Sequence, residues 1–126
     1  VINGFTTIDG DVNPDSVNIP KVVFNEDNIL LYMSRKKIPG FKKNEDAPKK
    51  YYKQVCIYAY NCEELQLFAK FGRKSTLEQS EDIEILRFLE FGKTVRLVET
   101  EGSSLAVDVP DDVIKIEKVM NDIYNN

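Results

Sequence analysis

Arg35 sits in the run Ser34-Arg35-Lys36-Lys37-Ile38-Pro39-Gly40, three consecutive bases beside a serine and closed by Pro-Gly. Such a run suits an anion, either a carboxylate or a phosphate. Arg35 suits it best, because its planar fork pairs with two oxygens at once. A solvated basic loop is the plainer alternative. Gln54 and Tyr58 belong to Tyr51–Asn61, a stretch rich in β-branched and aromatic residues with no Gly or Pro inside it. Alternation puts Tyr52, Gln54, Cys56, Tyr58 and Tyr60 on one face and Lys53, Val55, Ile57 and Ala59 on the other. The second face is expected to pack as core. The first carries an amide, a thiol and phenols, which need partners if buried. Either this is a half-buried strand with hydrogen-bonded tyrosines, or Gln54 and Tyr58 point into a polar ligand pocket. Asp108 stands where a short strand gives way to a helix, the place where α/β folds put ligand groups. A carboxylate there can take a hard cation such as magnesium, or serve only as a turn residue.

The sequence contains no histidine. Ser-His-Asp and Cys-His nucleophiles are thereby excluded, as is any His-ligated metal. Carboxylate–metal chemistry, Lys or Tyr chemistry, or binding without chemistry remain. Cys56 and Cys62 make a poor zinc set and suggest no disulfide framework. The net charge is −4, and the bases form no large aromatic-laced patch, so nucleic acid is not the expected partner. No apolar run approaches a bilayer span, and the first residues do not read as a signal peptide. A reduced cytoplasmic protein with no membrane partner is the expectation. With 126 residues, positions 1–126 read as a single domain or a piece of one.

The elements that must position these residues follow from pattern. Val1-Ile2-Asn3-Gly4 reads as the end of an element, followed by turn-rich Asp9 to Asp15. Lys21–Phe24 and Ile29–Ser34 read as a hairpin around Asn25-Glu26-Asp27-Asn28, with a type I turn because the tip lacks glycine. Phe41–Lys50 is a polar, Lys-rich loop, a candidate lid or arm. A helix is expected over Glu63–Phe71, stopped by Gly72. Ser75 with Glu78 makes a capping box for a helix running to Phe91. Its apolar residues cover most of the circumference, so it is buried on several sides, within the domain or at a subunit interface. On it, Glu84 and Arg87 are spaced to pair with each other. Thr94–Val98 and Leu105–Val107 read as strands. Pro110 opens a last helix whose Val113, Ile116, Met120 and Ile123 form one docking face.

Four segments together resemble the C-terminal half of the CMP-Kdo synthetases, the 3-deoxy-manno-octulosonate cytidylyltransferases. They are Leu31–Pro39, Tyr51–Tyr60, Ser75–Glu78 through Glu84–Arg87, and Ala106–Asp112, and their order and spacing match as well. The resemblance implies an α/β fold: a mixed β-sheet with flanking helices and a β-hairpin dimerisation arm, the C-terminal half of a nucleotide-diphospho-sugar transferase-like fold. It implies transfer of CMP from CTP to a 3-deoxy sugar acid with release of pyrophosphate, magnesium as cofactor, and a homodimer. By matching positions, Arg35, Gln54, Tyr58 and Glu84 fall at sugar-contacting positions, and Asp108 is a magnesium ligand. Gln54 replaces the family's usual His, Ile85 its usual Gln, and Val109 the usual Thr before Pro110. A different sugar acid, such as a sialic-acid-like one, is therefore an open alternative. The Gly-rich nucleotide loop and first metal-binding aspartate of the family's N-terminal half are not in this sequence, so the chain reads as a fragment, inactive alone. A non-catalytic α/β pairing module is the competing reading.

Overall fold

Strand β4 (Tyr52–Ala59) forms where β-branched and aromatic residues are densest, and it is the middle strand of five. The structure is a computed structural model and describes all residues except 11, 102–106, 108, 109 and 126. Beside β4 run β1 (Ile2–Thr7) and β2 (Lys21–Phe24), with β3 (Leu30–Ser34) and β5 (Arg96–Glu99) outside them. The spatial order is β3-β2-β4-β1-β5. All pairs are antiparallel except β1 with β5, so the sheet is mixed. The two edges approach each other at one end. There Leu30 N donates to Val95 O at 2.9 Å and Leu97 N to Asn28 O at 2.7 Å.

The expected hairpin is present, and its turn chemistry accounts for it. Asn28 N donates to Asn25 O, and the Asn25 side chain accepts from the amides of Asp27 and Ile29. Asn28 then takes a left-handed conformation at φ 58°, which asparagine tolerates better than most residues. The hairpin is built into the sheet through β2 and β4. The first residues are more than the tail of an element: β1 spans Ile2–Thr7 and pairs on both sides.

Helix α1 (Cys62–Phe71) starts at Asn61, whose side chain accepts from Glu64 N while Glu64 accepts from Asn61 N, and Gly72 stops it at φ 67°. The long helix expected over Thr76–Phe91 is in fact two: α2 (Thr76–Glu81) and α3 (Ile85–Glu90). Between them Asp82 is left-handed at φ 52°. Ile83 follows it into the core, at 3% exposure. An unbroken helix would set Ile83 on the side away from Ile85 and Phe88; the break turns all three inward. They join Leu86, Phe5, Val22, Leu30, Met33, Val95 and Leu97 in one buried cluster. Ile83, Ile85, Leu86 and Phe88 are therefore covered within the chain, while Leu77, Leu89 and Phe91 are half-buried.

Two further expectations change. The core lies on the Tyr52 side of β4, where Tyr52 meets the rings of Phe5 and Phe24 edge-on at centroid distances of 5.8 and 5.0 Å. Of the face expected to be core, Lys53 and Val55 are buried, whereas Ile57 is 63% exposed and Ala59 is exposed. Large rings from three strands fill the inner side, and alternation alone does not say which side they choose. Helix α4 (Pro110–Tyr124) forms as expected, but Val113 and Met120 stay exposed on this chain. The strand expected at Leu105–Val107 lies outside the described residues apart from Val107, which is in no strand. No described helix is long and apolar enough to cross a membrane.

Arg87 pairs with Glu78 rather than with Glu84. Its Nε and Nη2 each reach a Glu78 oxygen at 2.6 Å, and its guanidinium lies 3.6 Å from the Phe68 ring centroid. Glu78 is 1% exposed and Arg87 6%. Burial alone would raise the Glu78 carboxyl, but hydrogen bonds from Arg87 and Ser75 N, with the Arg87 charge, hold it below its usual 4.5. A carboxyl depressed on folding contributes stability above its unfolded value and loses it as pH falls through the folded one. Arg87→Ala should cost about 3–5 kcal/mol in chemical denaturation, since it leaves a buried carboxylate without its counter-charge. Glu78→Gln should flatten part of the fall in stability below pH 4.5, read as denaturation midpoint against pH.

Candidate functional site

Arg35 follows the last residue of β3, and its surroundings are built from both of its ends. The backbone N–H of Arg35 donates to Glu81 Oε2 at 2.8 Å, and Ser34 Oγ to Glu81 Oε1 at 2.7 Å. In return the Arg35 side chain donates to the carbonyls of Glu81 and Asp82, the exposed end of α2, and to Val17 O. A guanidinium near a helix C-terminus meets the negative end of the dipole and unpaired carbonyls. Among the described residues these use three of its five N–H donors, leaving two. Arg35 thus shapes the α2–α3 break and still has donors for an anion.

Beneath it lies Lys21, 0% exposed. Its Nζ donates to Ser16 O at 2.7 Å and to Arg35 O. Burial lowers its proton affinity, partly offset by the charges of Asp15 and Glu81. Glu81 itself is held below the usual carboxylate value: burial works against this, but Ser34, the Arg35 amide, Tyr32 and the Arg35 charge prevail.

Gln54 and Tyr58 share one side of β4, as alternation predicts. Register explains how they meet. Gly4 lies opposite Val55 and Asn3 opposite Tyr58, so Cys56 and Ile57 bulge out between. The bulge draws Tyr58 back toward Gln54, and Gln54 Nε2 donates to Tyr58 Oη at 3.1 Å. Asn3, 0% exposed, holds the bulge by donating from Nδ2 to the carbonyls of Val55 and Ile57, each at 3.0 Å. Tyr58 stacks on Tyr60 at 6.1 Å, and Tyr60 meets Phe88 of α3 at a tilt, 5.5 Å between centroids.

Glu84 stands at the start of α3, exposed. Its charge reaches both phenols. Burial pushes the Tyr58 hydroxyl up, with Cys56, Tyr60 and Glu84 adding to the effect, and Tyr60 is raised by burial and Glu84. Both hydroxyls keep their protons at neutral pH. Two of the four expected residues are bonded, Gln54 to Tyr58, and the Glu84 charge acts on Tyr58, whereas the Arg35 side chain bonds to the carbonyls of Val17, Glu81 and Asp82. The β4 side offers an amide and a phenol with the Glu84 charge beside them. Asp108 lies outside the described residues, and among those described no group of three or more Cys, Asp or Glu is placed to hold a metal.

Sequence pattern marks Glu81 only as a polar exception on an apolar helix, and it gives Asn3 and Lys21 no site role. An asparagine in β1 and a lysine opening a strand are weak signals until neighbours are known.

No protein-family model matches the chain. It is 37% identical over 114 residues to the 3-deoxy-manno-octulosonate cytidylyltransferase of Flavobacterium johnsoniae, covering 88% of this chain and 46% of that protein. It is 42% identical over 109 residues to the enzyme of that name from Pelobacter propionicus, with 79% and 42% covered. It is 35% identical over 117 residues to the 8-amino-3,8-dideoxy-manno-octulosonate cytidylyltransferase of Shewanella baltica, with 91% and 45% covered. Among solved structures, a CMP:2-keto-3-deoxy-manno-octonic acid synthetase complexed with CTP matches with TM-score 0.79 at 30% identity, over 96% of this chain and 48% of that one. The chain spans about half the length of the relatives it matches. The resemblance carried by the four sequence segments is thus borne out over most of this chain, in sequence and in fold.

Glu81→Ala would strip acceptors from Ser34 Oγ, Tyr32 Oη and Arg35 N. A loss of about 1–3 kcal/mol is expected in thermal or chemical denaturation, with faster hydrogen exchange at the Arg35 amide than at β4 amides.

Proposed function

We propose that this chain, kin over most of its length to the 3-deoxy-manno-octulosonate cytidylyltransferases, is the sugar-acid-binding C-terminal half of such an enzyme. The enzyme would transfer CMP from CTP to a 3-deoxy sugar acid and release pyrophosphate. Sequence identity of 35–42% to relatives of that name carries the reading. The Gln54–Tyr58 hydrogen bond and the Glu84 charge beside Tyr58 support it.

In this reading the two spare donors of Arg35 take the sugar carboxylate, a charge-assisted pairing that fixes one end of the substrate. Gln54, Tyr58 and Glu84 take its hydroxyls. The chain's contribution is orientation: it holds the anomeric hydroxyl where it can attack the α-phosphate of CTP. Tyr58 and Tyr60 stay neutral, so they add hydrogen bonds without adding negative charge near the sugar carboxylate. Magnesium is the proposed cofactor, and Asp108 this chain's ligand to it, a hard oxygen donor of the right type. When bound, the metal supplies charge neutralisation at the phosphates. A homodimer is the proposed assembly on the strength of the resemblance; the Leu77–Phe91 segment lends it no support.

The test joins this chain to the nucleotide-binding half of the Flavobacterium johnsoniae relative and assays CMP-sugar formation from CTP and 3-deoxy-manno-octulosonate. Product is expected from the joined protein and none from this chain alone. Arg35→Ala should weaken sugar-acid binding, by about 1.5–3 kcal/mol, read by calorimetry. Asp108→Asn should lower turnover while leaving that binding largely intact. Equal loss of sugar binding in both variants would refute the assigned roles, and turnover by this chain alone would refute its reading as one half.

A further inference from the structure

Asn3 sits where a short apolar residue would serve the sheet as well, yet it is an amide, wholly buried, with three hydrogen bonds. Resting on the functional reading above, we propose that Asn3 is a positioning residue. It fixes the Gln54 amide so that the carbonyl oxygen Oε1 is what Gln54 offers the sugar, and the site thereby selects a substrate presenting a hydrogen-bond donor at that point.

The orientation follows by a chain of necessity that starts in the backbone. Val55 O and Ile57 O can only accept, so the two N–H groups of Asn3 Nδ2 must face them. Asn3 Oδ1 is then turned toward Gln54, at 3.2 Å from Nε2. Rotating the Gln54 amide by half a turn would set oxygen against oxygen. Gln54 therefore presents its NH2 inward, with one N–H to Asn3 Oδ1 and the other to Tyr58 Oη at 3.1 Å. Both donors are used. Oε1 is left without a hydrogen-bond partner among the described residues, on a half-buried side chain.

Chemically, a freely rotating glutamine would be indifferent, accepting or donating as the ligand demanded. A glutamine held by Asn3 is an acceptor only. Glu84, whose charge is felt at Tyr58, is likewise an acceptor when ionised. A sugar hydroxyl or an ammonium substituent satisfies this edge. An ether, a carbonyl or a methylated oxygen leaves Gln54 Oε1 unpaired. The β4 bulge is part of the same device, since Asn3 can reach two carbonyls of β4 only because Cys56 and Ile57 are looped out between the paired residues.

Two measurements on the protein test this. The first is hydrogen exchange of the Gln54 side-chain amide, followed by NMR. Slow exchange is expected in the native protein, and at least tenfold faster exchange in Asn3→Leu. The second is calorimetric binding of 3-deoxy-manno-octulosonate, its 8-amino-3,8-dideoxy analogue, and singly O-methylated analogues. At least one O-methylated analogue should bind about fivefold to tenfold more weakly than its parent, of the order of one lost hydrogen bond. That preference should vanish in Gln54→Met, which keeps the side-chain length and leaves the Asn3 bonds to β4 intact. Tighter binding of the amino analogue would identify an ammonium as the donor, and equal or weaker binding a hydroxyl. Unchanged Gln54 amide exchange in Asn3→Leu overturns the positioning role. A methylation preference that survives Gln54→Met overturns the selection. If Asn3→Leu does not fold, Gln54 amide exchange in the native protein decides the positioning role, fast exchange overturning it, and Gln54→Met decides the selection. If no 3-deoxy sugar acid binds at all, the functional reading fails and the selection fails with it, while amide exchange still rules on the Asn3–Gln54 arrangement.

Discussion

The ends of β3 and α2 hold each other through a single reciprocal exchange. The Glu81 carboxylate takes the backbone N–H of Arg35, and the Arg35 guanidinium takes the backbone carbonyls of Glu81 and Asp82. Each residue satisfies the other's main chain, where a helix end and a strand end would otherwise leave polar groups unpaired. Much else depends on this junction. It closes α2 after only six residues, lets Asp82 turn left-handed, and sends Ile83 and α3 into the core. Glu84 occupies its position because the helix stopped when it did.

Charge is buried around this junction in quantity, and it is balanced locally. Lys21 lies under the Arg35 carbonyl with Glu81 and Asp15 in its field. On the far side of α2, Glu78 and Arg87 form a bidentate pair with Phe68 against the guanidinium. Such pairs add little net stability compared with apolar packing, but breaking one is costly. Their effect is to tie α2 and α3 in a fixed relation while the apolar residues of α3 fill the sheet's inner side. Unlike hydrophobic contacts, they do not tolerate sliding.

The polar side of β4 follows the same logic on a smaller scale. One buried amide, Asn3, answers two carbonyls exposed by a bulge and in doing so dictates what Gln54 and Tyr58 can offer. Under the proposed reading, specificity comes from residues with no direct contact to a ligand. They act by leaving a neighbouring side chain only one orientation.

Local signals in the sequence determined the local structure. The dense run around Tyr52–Ala59 gave the central strand, the Asn25–Asn28 tip gave the hairpin turn, and Asn61 with Gly72 and Ser75 with Glu78 gave helix ends. These are decided within a few residues by propensity, capping and backbone conformation. The wording and spacing of four segments also carried the kinship that the relatives bear out. Tertiary structure decided what depends on partners far along the chain. The helix after Ser75 breaks where Arg35, more than forty residues earlier, bonds the carbonyls of Glu81 and Asp82. Arg87 took Glu78 over Glu84 because α2 folds back beside α3. The core chose the Tyr52 side of β4 because Phe5 and Phe24 arrive there from other strands. Asn3 became important only when β1 paired with β4 across a two-residue bulge. A sequence displays which groups need partners; which partner each receives is settled by the distances that folding creates.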